Sequence, residues 1–266
     1  MEKSDIFKKD PYNPNNKFIT QNDIINIMKS LNINDFNINN LQYYQTAFIH
    51  KSYCKLSEYS DFKYPGAPCL PLQDISYETM EFLGDSILGS IVASYIYKRY
   101  YEIHKQNEGF LTKFKIRIVC GETLSKLSKC LNFQQHLIIS KYQEDSCNGR
   151  DNSNILEDVF ESFLGAMYLD NDYKTVEKFL ISVIEKYLDF TEILLTDNNY
   201  KDQISRYFQQ AFHVYPKYQT IKNEEGDFTS KIFKEDKMII EGVGKSKKKA
   251  EQDVSRKALI HFNVLT

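Results

Sequence analysis

The spacing of hydrophobic residues divides the chain into a long part with one period and a short part with another. From 22 to 195, apolar residues recur every three or four positions, as along 83–91 and 176–184, which is the period of amphipathic helices. Three of the six prolines fall within 65–71, so the segment 55–76 is predicted to be a long loop. Long loops in compact domains are either functional or disordered.

After residue 195 the pattern favours a small domain of a different kind. Polar residues at 196–200 predict a linker, and alternating apolar positions then predict strands between two helices. The expected elements are a helix at about 201–212, strands at 215–222, 228–234 and 237–243, and a helix at about 246–261. We therefore expect a mainly α domain at 22–195, behind an N-terminal extension at 1–21, and a small α+β domain of α-β-β-β-α order at 201–266.

Length and charge fit two folded domains. The chain has 266 residues, and 42% of them are hydrophobic, which is enough for a core and too apolar for a disordered chain. Residues 196–266 carry 13 basic and 10 acidic side chains, whereas the preceding part carries 21 and 26. This asymmetry suggests that the two domains have different tasks.

Several classes of protein are disfavoured by the same sequence. The longest apolar run, 87–97, is about half a membrane span, and the N-terminus has no secretory signal. The five cysteines show no C-x-x-C spacing and no histidines at zinc-finger spacing, so we expect reduced thiols. We expect a protein without membrane contact, located inside the cell, in the cytoplasm, with a nuclear location left open.

Five acidic residues are spaced so that they share helix faces. Glu78, Glu81 and Asp85 stand at i, i+3 and i+7 at the start of an apolar helix, and Asp158 and Glu161 stand at i and i+3 in another. Carboxylates beside apolar residues repel one another strongly unless a cation neutralises them. Mg²⁺ suits such a cluster, because it prefers oxygen ligands and also binds substrate phosphates. The alternative from spacing alone is a solvated acidic helix face.

The stretches around these acids resemble the two acidic motifs of the ribonuclease III family. The first is E-x-x-E-F-L-G-D-S at 78–86, and the second is D-V-F-E-S-F-L-G-A-M-Y-L-D at 158–170. Further similar stretches follow in the family's order, at 46–53, 108–113, 119–124 and 149–150. The resemblance is dense over 41–170, and it implies a helical nuclease domain that hydrolyses phosphodiester bonds of double-stranded RNA.

Residue by residue, the resemblance implies a metal site. Glu81, Asp85, Asp158 and Glu161 match the family's metal ligands, with Asp85 and Glu161 as catalytic residues. The implied cofactor is Mg²⁺, with Mn²⁺ as a substitute, and such ions polarise the scissile phosphate and lower the pKa of a bound water. The implied products carry 5′-phosphates and short 3′ overhangs. No small-molecule cofactor is expected.

The resemblance also implies roles outside the metal site. Glu78 and Glu108 match acidic positions of the family's catalytic valley and are candidate accessory acids. Phe82 matches an aromatic residue that contacts the partner subunit in family dimers, and the alternative is an ordinary core phenylalanine. Because the chain has one pair of acidic motifs and a duplex needs two cuts, a symmetric homodimer is expected. His50 lies in a matching stretch and is expected to be structural.

The C-terminal order of elements resembles a double-stranded RNA-binding domain. Ser246 is a suitable N-cap for the last helix, and the three lysines that follow it oppose the helix dipole. Their presence is explained if this turn binds phosphate, and the alternative is a solvated basic helix end. The expected RNA contacts are Lys245, Lys247, Lys248, Lys249 and Gln203.

The chain departs from the family pattern at several places. Asn154 and Glu157 stand before the second motif where Ser and Ala are usual, and Glu157 adds an acid beside the metal ligands. Ser205 and Arg206 stand where the RNA-binding domain often presents Gln or Glu to the minor groove. The loop 223–227 is acidic, which predicts weak RNA affinity of this domain alone, or a role in protein contacts.

The expected function is that of an endoribonuclease in RNA processing or silencing-related RNA metabolism. Two other functions are alternatives to it. One is a catalytically silent protein that binds, sequesters or scaffolds double-stranded RNA, and the other is a structural subunit of an RNA assembly. Loss of activity would show as replaced carboxylates, and all four stand in the sequence. Ribosomal precursors, messengers, small RNAs and viral duplexes would all be cut by the same residues.

Overall fold

The computed structural model describes residues 10–195, 199–224 and 226–265. The chain divides into two compact units, Met1–Ile193 and Leu194–Thr266. Residues 1–9 of the predicted N-terminal extension and 196–198 of the predicted linker lie outside the described residues. In the described ranges, no helix is both long enough and apolar enough to cross a membrane.

The first unit is built of helices, as the period of its apolar residues predicts. The helices are α1 Gln21–Ser30, α2 Leu41–Thr46, α3 Glu78–Ile96, α4 Glu108–Ile118, α5 Gly121–Cys130, α6 Lys141–Cys147, α7 Ser153–Asp170, α8 Tyr173–Tyr187 and α9 Phe190–Leu195. Polar residues cap several of them; Asn152 and Asp172 each accept a backbone N–H from the first turn of α7 and α8. A π-helical turn, Tyr97–Glu102, continues α3.

A large hydrophobic core holds this unit together, and α3 and α7 contribute many of its buried side chains. Leu88 and Ile91 of α3 and Phe160 and Phe163 of α7 are fully buried in it. The ring centroid of Phe163 lies 4.8 Å from that of Phe133. Burial of each such side chain contributes roughly 1.5–3 kcal/mol, so the relative position of the two helices is strongly fixed.

The segment 55–76 is a loop that includes the 3₁₀ turn Ser57–Tyr59, and hydrogen bonds hold it against the helical unit. The backbone N–H of Lys55 donates to the carbonyl of Gln73 (2.8 Å), and the N–H of Gln73 donates to the carbonyl of Tyr53 (3.0 Å). The Tyr53 hydroxyl donates to the carbonyl of Leu70 (2.8 Å). Leu70 packs on a small second core that includes the buried ring of Tyr53. The loop is therefore a fixed part of this surface.

The second unit is a three-stranded antiparallel sheet with a helix on either side of it in the sequence. Its elements are α10 Tyr200–Phe212, β1 Lys217–Lys222, β2 Phe228–Lys234, β3 Lys237–Gly244 and α11 Lys247–His261. The strand order is β1-β2-β3, and Ser230 of β2 pairs with Thr220 and Gly242. This unit has its own core, in which Phe208 and Ile232 are fully buried. The predicted fold class, a mainly α domain plus a small α-β-β-β-α domain, is confirmed.

Candidate active site and RNA-binding surface

Two glycines allow α3 and α7 to cross at backbone contact. A Cβ on Gly84 would overlap the carbonyl oxygen of Glu161, and a Cβ on Gly165 would overlap the carbonyl oxygen of Met80. Glycine is the residue that permits such close approach of two backbones. Asp85, which follows Gly84, comes close enough to Glu161 to raise the pKa of that carboxyl group. The crossing therefore assembles the acidic residues of both motifs.

Glu161 is the most buried of the four predicted metal ligands, with 8% of its surface exposed. Burial, followed by the charges of Asp85, Glu157, Glu81 and Asp158, raises the pKa of Glu161 to about 8. Burial, and then the charge of Asp158, also raises the pKa of Glu81. The structure thus brings the four predicted ligands together, and their charged forms destabilise one another.

Asp158 is held in place by a buried tyrosine. The Tyr77 hydroxyl donates to Oδ2 of Asp158 (2.9 Å). Burial raises the pKa of Asp158, and the hydrogen bond from Tyr77 partly opposes this rise. The Tyr77 ring is itself 2% exposed, and its backbone N–H donates to the carbonyl of Ile49 (2.9 Å). Tyr77 is therefore held in a fixed position, and its hydroxyl orients the Asp158 carboxylate.

Lys51 is a functional candidate that was not predicted as a site residue. Its Nζ lies 2.9 Å from Oε1 of Glu78, and more than half of each side chain is exposed. Such a pair adds little stability. Burial dominates the raised pKa values of Glu81 and Asp158, and the charge of Lys51 opposes that rise. The only sequence signal for Lys51 was its place in the matching stretch 46–53.

His50 is expected to be structural, and its contacts agree with that role. Burial, and then the charge of Lys51, lowers the pKa of His50 to about 4, so the ring is neutral at pH 7. Its Nδ1 accepts the backbone N–H of Ser52 (3.2 Å), so the ring proton sits on Nε2. The ring centroid lies 5.8 Å from that of Tyr77. His50 thus supports the turn that carries Lys51.

Glu108 is not brought to this cluster within one chain. The chain reverses between α3 and α4, since the side chain of Lys115 in α4 reaches Gly89 of α3. Glu108 opens α4 and therefore lies near the far end of α3, ~16 Å along the helix from Asp85. Its carboxylate accepts a hydrogen bond from the Thr112 hydroxyl (2.8 Å). The accessory role of Glu108 stays a prediction, whereas Glu78 lies beside the cluster.

The additional acid Glu157 lies between the cluster and the start of α5. Its carboxylate occupies the space that a Cβ on Gly121 would need. Gly121 begins α5, and the N-cap residue Cys120 provides no side-chain hydrogen bond to that helix end. The positive end of the helix dipole therefore stabilises the charge of Glu157. This charge in turn contributes to the raised pKa of Glu161, after burial and Asp85.

The chemistry of this donor set fits a hard divalent cation. Glu81, Asp85, Asp158 and Glu161 offer carboxylate oxygens, which are the ligands that Mg²⁺ and Mn²⁺ prefer. A cation would stabilise the charged forms that burial and mutual repulsion disfavour in three of them. Among the residues that the structure describes, no three Asp, Glu, His or Cys side chains already surround one point. The carboxylates would have to turn towards a bound ion.

Phe82 lies on the surface beside the acidic residues of α3. Its side chain is 78% exposed, which excludes an ordinary core position within the chain. Tyr168 and Leu169 near the end of α7 are also exposed large apolar side chains. An exposed aromatic residue on a packed helix is typical of a protein interface.

The predicted lysines surround the start of α11. Ser246 caps this helix, and its Oγ accepts the backbone N–H of Lys249 (3.3 Å). Lys245, Lys247 and Lys248 are exposed, as is Lys249. In the described part of the chain none of these four lysines has a carboxylate partner. The result is a helix N-terminus with uncompensated positive charge, which favours an anionic ligand.

The other predicted RNA contact and the two departures lie on α10. Gln203 is half-buried on this helix, which packs beside α11. Arg206 forms an ion pair with an aspartate one turn earlier (3.1 Å), and the Ser205 hydroxyl donates to the carbonyl of Lys201 (2.8 Å). Both side chains are thus engaged within α10. Glu225 of the acidic loop lies outside the described residues.

Comparison with known proteins finds matches for both units. A family model described as Ribonuclease-III-like matches residues 40–188, and a model described as double-stranded RNA binding motif matches residues 200–261. A protein named probable ribonuclease 3 from Acanthamoeba polyphaga mimivirus is 41% identical over 202 residues, which cover 72% of this chain and 35% of that protein. Ribonuclease 3 of Leptospira interrogans is 34% identical over 221 residues, which cover 81% of this chain and 82% of that protein.

One solved structure is also similar to part of this chain. The nuclease domain of ribonuclease III from Campylobacter jejuni matches with a TM-score of 0.49 and 24% identity, over 62% of this chain and 98% of that one. The two units define a class of protein, a helical nuclease domain followed by a double-stranded RNA-binding domain. The chain belongs to the ribonuclease III family of endoribonucleases, which are hydrolases, and the predicted family and enzyme class are confirmed. The family is generally dependent on divalent metal ions.

Proposed function

We propose that this protein cuts double-stranded RNA as an active endoribonuclease with Mg²⁺ as its cofactor. The observation that carries the proposal is the crossing of α3 and α7, which assembles Glu81, Asp85, Asp158 and Glu161. Family membership supports the reaction type. The exposed lysines at the start of α11 support RNA as the partner, because such clusters neutralise phosphates.

The four carboxylates would hold Mg²⁺, or Mn²⁺ in its place, and the ions would supply a polarised phosphate and a water of lowered pKa. Asp85 and Glu161 are the proposed catalytic residues. Tyr77 fixes the orientation of Asp158 through its hydrogen bond. Lys51 balances part of the negative charge that would otherwise repel the RNA backbone. The proposed products carry 5′-phosphates and short 3′ overhangs.

Two copies of the chain are proposed to act on the two strands of a duplex. Each chain provides one acidic cluster, and the exposed Phe82 provides an apolar contact beside it. A symmetric dimer would place the same surface of both copies in contact. The proposed role is in RNA processing or silencing-related RNA metabolism, and the intracellular, cytoplasmic location stays a prediction.

The test of this function is cleavage of a labelled duplex RNA by the purified protein with Mg²⁺ and with excess EDTA, beside single-stranded RNA and duplex DNA. We expect cutting of duplex RNA alone, in Mg²⁺ alone. Glu161→Gln should lower the cleavage rate by a factor of roughly 10²–10³, because it removes a charged ligand. Binding of the duplex in EDTA should be unchanged in this variant. The matched control is Glu177→Gln on α8, which should cut at the wild-type rate.

Two results would contradict the proposal. Duplex binding without cutting by the wild-type protein, in Mg²⁺ and in Mn²⁺, would favour the catalytically silent RNA-binding protein. Full activity of Glu161→Gln would show that the assembled carboxylates are not the reaction centre.

A further inference from the structure

A cavity of about 330 Å³ opens beside the acidic cluster. It lies between the turn 50–52, the start of α6 and the start of α7. Among the described residues of its wall, Asp158 is the one predicted metal ligand, and Tyr59 of the loop 55–76 lines it as well. The volume is at the lower end of the range for small-molecule sites, about 300–1,000 Å³. The cavity is therefore large enough for one small ring-shaped ligand.

The walls of this cavity combine a largely apolar surface with several polar side-chain groups, and they carry little net charge. Of the described residues that line it, Lys51 is the one lysine or arginine, and Glu78 already binds it at 2.9 Å. His50 is neutral at pH 7, since burial lowers its pKa to about 4. A phosphate is bound by several charged donors, and these walls do not offer them. A wholly apolar ligand would leave the polar groups of the wall without hydrogen bonds, whereas a ring with apolar faces and a polar edge would match both kinds of surface.

Two amide side chains in the wall are free to bind a ligand. Gln143 of α6 and Asn154 of α7 line the cavity, and in the described part of the chain neither amide group has a hydrogen-bond partner. An amide presents two donors and a two-lone-pair acceptor. Such groups match the donor and acceptor pattern along the edge of a nucleobase.

The loop 55–76 holds an aromatic part of the wall in place. The Tyr59 ring is 5% exposed, and its hydroxyl donates to the carbonyl of Ser52 (3.1 Å). Its ring centroid lies 6.4 Å from that of Phe62 in the same loop. Tyr142 of α6 is a second tyrosine in the wall. Aromatic side chains are the usual surfaces against which unstacked bases pack.

We propose that this cavity binds the base of an unpaired nucleotide that neighbours the scissile phosphodiester bond. The inference rests on the proposed function, because Asp158 connects the cavity to the place where the RNA backbone would be held. Inside an intact A-form duplex the Watson–Crick edge of a base is paired and its faces are stacked, so the base cannot enter such a pocket, whereas an unpaired base can turn out of the stack. The protein should therefore prefer duplexes that carry an unpaired nucleotide near the cut.

The test compares one duplex RNA in fully paired form with versions that carry a single unpaired 2-aminopurine nucleotide. Cleavage of the paired duplex by the full chain in Mg²⁺ first maps the cut. The unpaired nucleotide is then placed in turn at each of the neighbouring positions. Affinity is measured in EDTA, where no cutting is expected, and the fluorescence of 2-aminopurine reports whether its base is packed against protein.

The variant for this test is Gln143→Ala/Asn154→Ala, which removes both free amides. Its matched control is Ser146→Ala/Ser153→Ala, which changes exposed positions of the same two helices outside the cavity. At one position we expect the wild type to bind the unpaired duplex about five- to tenfold more tightly than the paired one, with altered fluorescence. The double variant should abolish both effects, and the control should keep them.

Two outcomes overturn the proposal. Equal affinity for paired and unpaired duplexes at every position would show that no base enters the cavity. A preference that persists in Gln143→Ala/Asn154→Ala would place the base elsewhere. Failure of the proposed function is a separate result, namely no cutting of the paired duplex in Mg²⁺. The unpaired nucleotide is then moved along the whole duplex in EDTA, so that the cavity is tested all the same.

Discussion

Glu144 ties the segment before α1 to the start of α6 through three side chains. Asn13 donates to its Oε2 (2.6 Å), Asn15 donates to its Oε1 (2.8 Å), and Nη2 of Arg150 lies 3.0 Å from Oε2. Burial alone would raise the pKa of Glu144, but the hydrogen bonds from Asn13, Asn15 and Arg150 lower it overall. The charged form is therefore favoured by folding.

Because the folded pKa of Glu144 is depressed, its contribution to stability is present above the unfolded pKa near 4.5 and is lost as the pH falls through the folded value. We expect Glu144→Gln to lower the free energy of unfolding at pH 7 by about 1 kcal/mol. The difference from wild type should shrink below about pH 4.5. Urea unfolding at both pH values measures it.

The control for this prediction is Asp145→Asn, which changes the next carboxylate along α6. Asp145 pairs with Lys141 on the exposed helix surface, with more than half of its side chain exposed. Such a pair contributes little, so the control should unfold like the wild type at pH 7. An equal loss of stability in the two variants would contradict the role assigned to Glu144.

A site residue could be predicted from the sequence where it lies in a motif that resembles a known family. The proximity of Glu81, Asp85, Asp158 and Glu161 could be predicted from the resemblance of two acidic motifs and the stretches around them, and their role as metal ligands stays a prediction. The raised pKa of Glu161 could not be predicted from the sequence. Burial is the largest cause of the rise, and burial depends on where α7 crosses α3. Lys51 was missed for the same reason, since it lies 27 positions before Glu78 in the sequence. Its effect on the acids arises from the fold.

At the scale of elements, the close crossing of α3 and α7 is the feature on which the acidic cluster depends. Gly84 and Gly165 remove the side chains that would hold the helices apart. Their place inside the two acidic motifs has a physical reason, because each motif must carry both the carboxylates and the contact that brings them together. Helix separation would increase the distance between Asp85 and Glu161 directly.

We expect Gly84→Ala to destabilise the protein, because its methyl group would overlap the backbone of Glu161. The expected loss is roughly 1–3 kcal/mol in the free energy of unfolding, with loss of cleavage. The matched control is Gly89→Ala on the same helix, where the nearest atom to a new Cβ is the flexible end of Lys115 at 3.7 Å. This control should be more stable by about 0.5–1 kcal/mol. Equal effects of both substitutions in thermal unfolding would contradict the crossing.

A second prediction at the scale of elements concerns RNA binding by the lysines at the start of α11. Replacing Lys247, Lys248 and Lys249 with Ala should weaken duplex binding about equally for all RNA sequences, because phosphate contacts carry no sequence information. The slope of log affinity against log salt should fall by up to about 0.9 for each phosphate that is no longer neutralised. Titrations at several salt concentrations measure this slope. Lys237→Ala, an exposed lysine at the start of β3, is the control. An unchanged slope in the triple variant would contradict the assignment.

The helices and strands could be predicted from the sequence where the hydrophobic residues keep one spacing over a long stretch. The three strands and α11 lie within two residues of their predicted bounds. The end of α3 could not be predicted from the sequence. Apolar residues continue past Ile96, while the backbone changes there to a π-helical turn. The hydrogen bonds that fix the loop 55–76 join residues such as Tyr53 and Leu70. Such contacts leave no periodic signal in the sequence.

At the scale of the whole molecule, the two units have separate hydrophobic cores, and the proposed function gives each unit its own task. The acidic cluster and its supports, including Tyr77 and Lys51, belong to the first unit. The lysines at the start of α11 belong to the second unit. Because neither core needs side chains from the other, substitutions at the acids should change cleavage alone, and substitutions at the lysines should change affinity alone.

The proposed homodimer depends on the exposed side chain of Phe82. Phe82 is 78% exposed, so Phe82→Ala should leave the fold of one chain intact while it removes an apolar contact from the proposed dimer. We expect the dissociation constant of the dimer to rise at least about tenfold, as measured by sedimentation equilibrium. Ile103→Ala is the control, since Ile103 is 69% exposed and lies beyond the far end of α3. If Phe82→Ala dimerises like this control, the contact between copies lies on another surface, and the second cut in a duplex needs a different explanation.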